Sequence, residues 1–265
     1  MTQTIRYEVT KGVATLTLDR PAQRNAIDLQ MRDEIAHCLA ALKRDRDVSA
    51  LVITGAGGAF CAGGDLRNIG SAQLDAAGWR QRMKDAHEWV GALITLDRPV
   101  IAAVDGPAFG AGFSLALAAD VVVASSRARF CLSFMRLGLV PDFGAFYTLP
   151  RIVGVQRAKE LMLSAREVAA DEAKQLGIVL EIVEPERVLA RAQAIAASFT
   201  GASPLALSLV KRAMNAVPAA SLDTMLELEA DAQALCFGSA DHKAAIARFL
   251  DKQPPGFCWP QGEET

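Results

Sequence analysis

The sequence predicts a protein of the α/β class with a helical region at its C-terminal end. Three observations lead to this prediction. Apolar runs of strand length alternate with segments of helical periodicity through most of the chain, two of these runs end in glycine-rich turns, and from Glu186 onward the pattern is almost entirely helical. We therefore expect a core over residues 1–200 and a helical appendage over residues 201–265.

Composition narrows the functional classes. The 265 residues contain 28 Lys and Arg against 30 Asp and Glu, so the net charge of -2 gives no indication of a nucleic acid or an anionic membrane as partner. The longest apolar stretch is interrupted by charged residues and proline, which argues against a membrane span. The start of the chain does not read as a signal peptide. Five cysteines are scattered without paired spacing, which favours reduced thiols, a cytoplasmic location and no metal framework. They are Cys38, Cys61, Cys131, Cys236 and Cys258.

The first third of the chain predicts a hairpin, a helix and a strand. Residues 5–9 and 13–18 alternate apolar and polar side chains around Lys11-Gly12, as the two strands of a hairpin do. Asp28 is placed to cap a helix. The apolar residues of that helix recur on one face, and they are Met31, Ile35, Leu39 and Leu42. Residues 50–54 form an apolar run of strand length.

The middle of the chain predicts further strands and helices in alternation. Residues 71–78 form a polar connection, and residues 79–96 have helical periodicity. The apolar stripe of that helix is expected to contain Met83, His87, Val90 and Ile94. Later strands are expected at residues 100–104, 121–124, 128–131 and 178–183, with helices beginning at Phe113 and around residues 157–163.

Two glycine-rich turns are the most informative part of the sequence. One follows the strand at residues 50–54, and the other runs through Gly110-Ala111-Gly112 into a helix of small residues. The first N–H groups of a helix lack an internal partner and lie at the positive end of its dipole. If the two turns converge, their N–H groups form an oxyanion hole.

Four stretches of this chain resemble one known family. They are Arg24-Asn25-Ala26-Ile27, AFCAGGDL at residues 59–66, PVIAAVDGPAFGAG at residues 99–112 and GLVPDFGAFYTLPRIVG at residues 138–154. They are similar, in order and over nearly the whole chain, to the enoyl-CoA hydratase/isomerase (crotonase) superfamily. The resemblance implies a spiral of ββα turns and C-terminal helices that assemble a homotrimer or a hexamer. It also implies an acyl-CoA substrate, with coenzyme A as part of the thioester rather than as a permanently bound cofactor.

The resemblance also assigns site residues. The two oxyanion donors fall on the N–H groups of Ala62 and Ala111, which would hold the charge that a thioester enolate places on its carbonyl oxygen. Further contacts to coenzyme A or to the acyl group fall on Arg24, Ala26, Ile27, Gly63, Gly64, Asp65, Leu66, Gly112 and Phe134.

The chain departs from the family's hydratases at both catalytic glutamates. The matching positions hold Ser114 and Phe134, neither of which acts as a general base, so hydration by the two-carboxylate route is not expected. Asp142 occupies the position at which dienoyl-CoA isomerases, phenylacetate-type ring isomerases and chlorobenzoyl-CoA dehalogenases carry an aspartate. Next to apolar Phe134, its carboxyl is expected to have a raised pKa that suits proton transfer. His87 stands at the spacing at which dehalogenase-like members carry a water-activating histidine.

Three interpretations remain open at this stage. In the first, the protein is an acyl-CoA isomerase, and Asp142 moves a proton α or γ to the thioester carbonyl. In the second, Asp142 attacks the substrate as a nucleophile and His87 activates the water that releases the ester, as in a dehalogenase or thioester hydrolase. In the third, the protein binds coenzyme A without chemistry of its own. Charge and aromatic content give little support to an RNA-binding role.

Overall fold

The computed structural model describes residues 3–261, in which nine strands form two sheets. The strands are β1 (Ile5–Thr10), β2 (Val13–Leu18), β3 (Ala50–Gly55), β4 (Val100–Val104), β5 (Pro107–Phe109), β6 (Val121–Ser125), β7 (Arg129–Cys131), β8 (Val168–Ala169) and β9 (Glu181–Val183). The larger sheet has the order β1-β2-β3-β4-β6-β9, and the smaller has the order β5-β7-β8. Only the hairpin β1-β2 is antiparallel in the larger sheet; its other neighbours are parallel.

The parallel strands lie in the interior because helices cover both faces of the larger sheet. All five residues of β4 are buried, as are the first five of β3. This explains their unbroken apolar sequence, which is typical of strands buried on both sides. Alternate residues of these strands contribute to two separate apolar clusters, and the smaller cluster packs against the helix Val188–Ser198.

Eleven α-helices lie in the described residues. They are α1 (Leu29–Leu42), α2 (Leu66–Gly70), α3 (Ala76–Ile94), α4 (Ala111–Leu117), α5 (Ala145–Val153), α6 (Val155–Ser164), α7 (Ala170–Gln175), α8 (Val188–Ser198), α9 (Pro204–Ala216), α10 (Leu222–Gly238) and α11 (Ala240–Leu250). The predicted cap of α1 is confirmed, since the Asp28 carboxylate accepts a hydrogen bond from the Met31 N–H at 2.8 Å. Asp75 caps α3 in the same way, so that this helix begins three residues earlier than its periodicity predicts.

The sequence did not predict β5 and α5, two elements that contain or follow proline or glycine. β5 begins at Pro107, and its next two residues pair with β7 in the smaller sheet. α5 follows Gly144, which adopts a positive φ of 79°, and it contains Pro150. Both residue types end helices and strands in most sequences, and here tertiary packing overrides that tendency.

The three C-terminal helices expose much apolar surface. α9, α10 and α11 contain no buried residue among those described. Their most exposed large apolar side chains include Leu222, Phe237, Phe249 and Leu250. α9 is held to the rest of the chain by Lys211, whose ammonium group lies 2.5 Å from the Asp120 carboxylate. A trimer or hexamer formed through these helices stays a prediction, as does the boundary near residue 200.

No single described helix has both the length and the apolar composition needed to cross a membrane; the segments Pro185–Gly201 and Pro204–Ala216 meet those criteria only as a pair, bent by 115°.

Candidate active site

The loop that follows β3 lies directly beside β5. The Cys61 N–H donates to the Pro107 carbonyl at 3.0 Å, and the Phe109 N–H donates back to the Cys61 carbonyl at 2.8 Å. This pairing continues the parallel arrangement of the strands past their ends. It brings the glycine-rich loop against the residues that lead into α4, so the two turns singled out by sequence do converge.

The convergence is closest at Gly63 and Gly112. A Cβ atom on Gly63, whose φ is +99°, would lie 2.8 Å from the Phe109 carbonyl oxygen and 3.4 Å from the Ala111 nitrogen. A Cβ atom on Gly112 would lie 2.2 Å from the Cys61 carbonyl oxygen. Gly112 is therefore required for close packing of α4 on the loop, and its contact with the substrate stays a prediction.

The prediction that Ala62 supplies an oxyanion donor is wrong. Its N–H donates to the Arg24 carbonyl at 2.9 Å and is not available to a ligand. Two residues further on, Gly64 pairs with Ile27, whose N–H and carbonyl bond to Gly63 and Asp65. In such a parallel pair the central residue directs its own N–H away from the partner strand. Within residues 3–261, the Gly64 N–H has no hydrogen-bond partner.

The second predicted donor, Ala111, keeps a free N–H. Ala111 is the first residue of α4, and the first four N–H groups of a helix have no partner inside it. Gly63 lies against its nitrogen, so the Gly64 N–H is brought to the first turn of α4. The pair of amides that can meet at one oxygen is therefore Gly64 and Ala111.

Asp142 lies in the loop before α5, where the residue as a whole is half-buried. Its Oδ1 atom is inaccessible and has no hydrogen-bond partner among the described residues. Burial raises the pKa of the Asp142 carboxyl to about 6, although the positive charge of Arg32 acts to lower it. A carboxyl with this pKa is mainly ionised at pH 7 and still accepts and returns a proton readily. The sequence-based expectation of a raised pKa thus agrees with its burial.

The positions that hold glutamates in hydratases contribute no acid or base. Ser114 is fully buried, and its hydroxyl lies 3.4 Å from the Gly110 carbonyl within its own helix. Phe134 is also buried, and its Cζ would lie 3.9 Å from a Cβ atom placed on Gly110. The aromatic ring therefore packs beside the residue that precedes the donor Ala111.

His87 does not lie on the buried stripe of α3. The residues of this helix that face the core are Ala86, Trp89, Val90 and Leu93, whereas His87 is exposed. The buried face is rotated from the predicted stripe by nearly a quarter of a turn, because Trp89 rather than His87 continues the apolar face. In the chain by itself, His87 is not brought together with Asp142 inside the core.

The predicted coenzyme A site is built by two backbone segments that pair in parallel, one around Ile27 and the other around Gly64. Arg24 is exposed and has a positive φ of 48°, while Ala26 and Ile27 are buried. Leu66 is exposed, and Asp65 caps α2 and lies 3.0 Å from Arg20. The geometry places these residues together on one side of the glycine-rich loop, where their roles toward coenzyme A stay a prediction.

Sequence reasoning missed Asn25 and Arg32. The Asn25 side chain is fully buried and donates to the carbonyls of Ala56 at 2.8 Å and Ala59 at 2.7 Å, so it anchors the glycine-rich loop. Its presence in a family motif was the available signal. Arg32 is buried on the core side of α1, one residue after Met31. A cation within an apolar helix stripe was the signal there.

The chain is similar to known enzymes of one family. The family model described as enoyl-CoA hydratase/isomerase matches residues 8–259. The 1,2-epoxyphenylacetyl-CoA isomerase of Escherichia coli K12 is 38% identical over 262 residues, covering 97% of this chain and 99% of that protein. The short-chain-enoyl-CoA hydratase of Clostridium acetobutylicum is 34% identical over 242 residues, covering 91% and 92%.

Solved structures agree with this assignment. The crystal structure of an enoyl-CoA hydratase/isomerase from Cupriavidus metallidurans CH34 superimposes with a TM-score of 0.93 at 45% identity, covering 98% of each chain. The α/β fold that the sequence resemblance implied is thereby confirmed. The chain belongs to the enoyl-CoA hydratase/isomerase superfamily of enzymes.

Proposed function

We propose that this protein is an acyl-CoA isomerase in which Asp142 moves a proton on the acyl chain of a coenzyme A thioester. The carboxylate removes a proton from the carbon α or γ to the thioester carbonyl and returns it at the other position. The N–H groups of Gly64 and Ala111 hold the enolate oxygen in the meantime. The buried Oδ1 atom of Asp142, which has no hydrogen-bond partner among the described residues, is the observation that carries this proposal.

Two fixed amides suit the electronic demand of such a reaction. When the proton leaves, negative charge develops on the thioester oxygen rather than on the carbon. Preorganised N–H donors aimed at that oxygen lower the barrier, and removal of one such donor typically costs about 10²–10³ in kcat. The two loops that hold Gly64 and Ala111 are tied together by backbone hydrogen bonds, so the donors are fixed before the substrate binds.

The absence of both glutamates favours isomerisation over hydration. Hydration needs groups that orient and activate a water molecule as well as a donor to the enolate. Ser114 and Phe134 provide neither an acid nor a base. Isomerisation needs only one group that removes and returns a proton, and Asp142 meets that requirement. The name of the isomerase relative, 38% identical, supports the same reaction class.

The coenzyme A portion would lie along the loop that contains Arg24. Its guanidinium group is exposed beside the glycine-rich loop, where a phosphate of the nucleotide can approach it. The acyl group would extend from the two amides toward Phe134 and Asp142. The nucleophilic alternative loses support because His87 is exposed in the chain by itself.

Proton exchange tests the proposal. The protein is incubated in D₂O with crotonyl-CoA, a 3-enoyl-CoA and 1,2-epoxyphenylacetyl-CoA, and deuterium at the acyl carbons is followed by mass spectrometry. We expect exchange or isomerisation with at least one compound. Asp142→Asn, which keeps the shape of the side chain, should lower the rate by about 10²–10⁴ while binding of the same compound changes little.

Two results would contradict the proposal. Undiminished exchange in Asp142→Asn would assign the proton transfer to another group. Binding of every compound without any exchange in the wild-type protein would favour the interpretation as a non-catalytic coenzyme A binder. Ser114→Ala is the matched control, since this buried hydroxyl is not expected to take part in proton transfer.

A further inference from the structure

Three buried polar atoms without partners belong to Asp142, which precedes Phe143 in the chain, and to the two residues that pack on the Phe143 ring. They are Nε of Arg32, Nε1 of Trp89 and Oδ1 of Asp142, each without a hydrogen-bond partner in the described part of the chain. The Trp89 and Phe143 rings meet edge to face with centroids 5.0 Å apart. The Arg32 guanidinium carbon lies 5.5 Å from the centroid of the same ring. The buried Arg32 guanidinium therefore packs on the residue that follows Asp142 in the chain.

Burial of Arg32 is costly unless an anion compensates for it. The residue is only 8% exposed, and it lies on the core side of α1 between Met31 and Ile35. A buried charge without a partner destabilises a protein by several kcal/mol. Burial lowers the pKa of Arg32, the like charge of Arg82 lowers it further, and Asp142 is the first anion that raises it.

The charge of Asp142 is in turn favoured by Arg32. The loop that carries Asp142 is packed against α3, because a Cβ atom on Gly144 would lie 3.3 Å from Ile94 and 3.7 Å from Val90. Arg32 is the one charged side chain whose field is resolved at this carboxyl within residues 3–261. Among the same residues, no direct ion pair joins the two groups, so the carboxylate oxygens are not occupied by the guanidinium.

We infer that Arg32 is a positioning residue for Asp142: its buried guanidinium keeps the carboxylate charged without occupying the oxygen that accepts the proton. The inference rests on the proposed role of Asp142 in proton transfer. A direct bidentate pair would hold the carboxylate more firmly, but it would also make the carboxylate a poorer base and cover its oxygens. A cation that forms no direct ion pair stabilises the charge and leaves Oδ1 free.

The opposing effects at Asp142 explain why a cation is needed. Burial by itself raises the pKa of Asp142, and the field of Arg32 together with a hydrogen bond from the backbone N–H of Asp142 acts against it, giving a pKa of about 6. An opposite charge within about 4–6 Å typically lowers the pKa of a carboxyl by about 1–3 units. Without Arg32, a larger fraction of Asp142 would be protonated at pH 7 and unable to accept a proton. The other charges that act on Arg32 are those of Arg82 on α3 and Asp33 on α1.

The titration of Asp142 tests this inference without relying on activity. Aspartate carboxyls are labelled with ¹³C in the full chain, and the Asp142 signal is assigned by its loss in Asp142→Asn. Arg32→Met removes the charge and keeps most of the volume, and Arg32→Lys keeps the charge. Arg46→Met, in the exposed turn after α1, changes the net charge equally and serves as the matched control.

We expect Arg32→Met to raise the pKa of Asp142 by about one unit or more. Arg32→Lys should restore most of this difference, and Arg46→Met should not shift it. The pH profile of kcat/KM for proton exchange should move by the same amount. A role for Arg32 that is only structural would lower the rate at every pH and leave the inflection where it is.

An unchanged titration of Asp142 in Arg32→Met would overturn the inference. If that variant does not fold, Arg32→Gln decides by the same measurement, since it keeps a hydrogen-bonding side chain in the buried position. A shifted titration in a protein that shows no proton exchange would refute the proposed function and leave the electrostatic role of Arg32 intact. If the wild-type protein exchanges protons but Arg32→Met leaves the titration of Asp142 unchanged, the proposed function stands and the inference about Arg32 is refuted.

Discussion

The N–H of Ala62 donates a hydrogen bond of 2.9 Å to the carbonyl of Arg24. This bond is one of several that tie the glycine-rich loop to the loop that precedes α1. It also decides which amides of the loop remain free, because Gly64 lies two residues further along and points its N–H the other way. The Ala62 N–H is therefore used to hold the loop in place, and the Gly64 N–H is the one that remains available as the proposed donor.

Removal of the other proposed donor is the cleanest change in the oxyanion hole. Ala111 is the first residue of α4, where proline is tolerated, and Gly110 before it is not in the α conformation that proline disfavours. Ala111→Pro should therefore fold but lose about 10²–10³ in kcat, since one N–H is missing. Steady-state exchange kinetics measure the effect. Ala111→Gly, which keeps the N–H, is the control, and an Ala111→Pro variant with normal kcat would exclude this amide as a donor.

Loss of the Asn25 side chain should destabilise the glycine-rich loop. Its amide group bonds buried carbonyls of Ala56 and Ala59, and its backbone has a positive φ of 58° that asparagine tolerates better than alanine. Asn25→Ala should lower the free energy of unfolding by about 2–3 kcal/mol. Urea denaturation measures this, with exposed Gln23→Ala as the control. A loss no larger than that of the control would mean that the loop is held by its backbone alone.

The family motifs allowed the fold to be predicted from the sequence, but they did not identify the free amide. Local pattern predicts strands such as residues 50–54 and caps such as Asp28, because both depend on neighbouring residues. The partner of the Ala62 N–H is Arg24, which is distant in the sequence, so no local pattern shows that this N–H is taken. The role of Arg32 is hidden for the same reason, since its anion belongs to a loop more than a hundred residues away.

The exposed position of His87 shows that the periodicity of apolar residues does not by itself determine which face of α3 is buried. A stripe through Met83, Val90 and Ile94 fits a helix almost as well as one through Ala86, Trp89 and Leu93. Packing of Trp89 against Phe143 selects the second arrangement, and this contact lies between segments that are far apart in the chain. The sequence alone gave no reason to prefer it.

Titration of Asp142 should make the stability of the protein depend on pH. Its pKa of about 6 in the folded protein exceeds the usual value of 3.8, so the folded state binds more protons than the unfolded state between these values. Stability is therefore lost as the pH rises from about 4 through 6. Relative to Asp142→Asn, the wild type should lose about 2 kcal/mol between pH 4 and pH 7.5. Urea denaturation of both proteins at the two pH values measures the difference, and parallel pH dependences would contradict the raised pKa.

The exposed apolar surface of α9, α10 and α11 predicts assembly. Phe249 is 78% exposed in the single chain, and monomers rarely leave so many large apolar side chains in water. We expect a molar mass three or six times that of the 28.2 kDa chain by light scattering. Phe249→Glu should shift the protein toward smaller species, whereas Gln156→Glu on α6, which adds the same charge without removing an apolar side chain, should not. A monomer at micromolar concentration would refute the prediction.

A crystal structure with a bound, unreactive acyl-CoA analogue is the most direct measurement of the proposed mechanism. We predict that the thioester oxygen lies about 2.7–3.1 Å from the nitrogens of both Gly64 and Ala111, with a carboxylate oxygen of Asp142 in contact with the α or γ carbon. A thioester oxygen more than about 4 Å from both nitrogens, or an Asp142 side chain turned away from the acyl group, would contradict it.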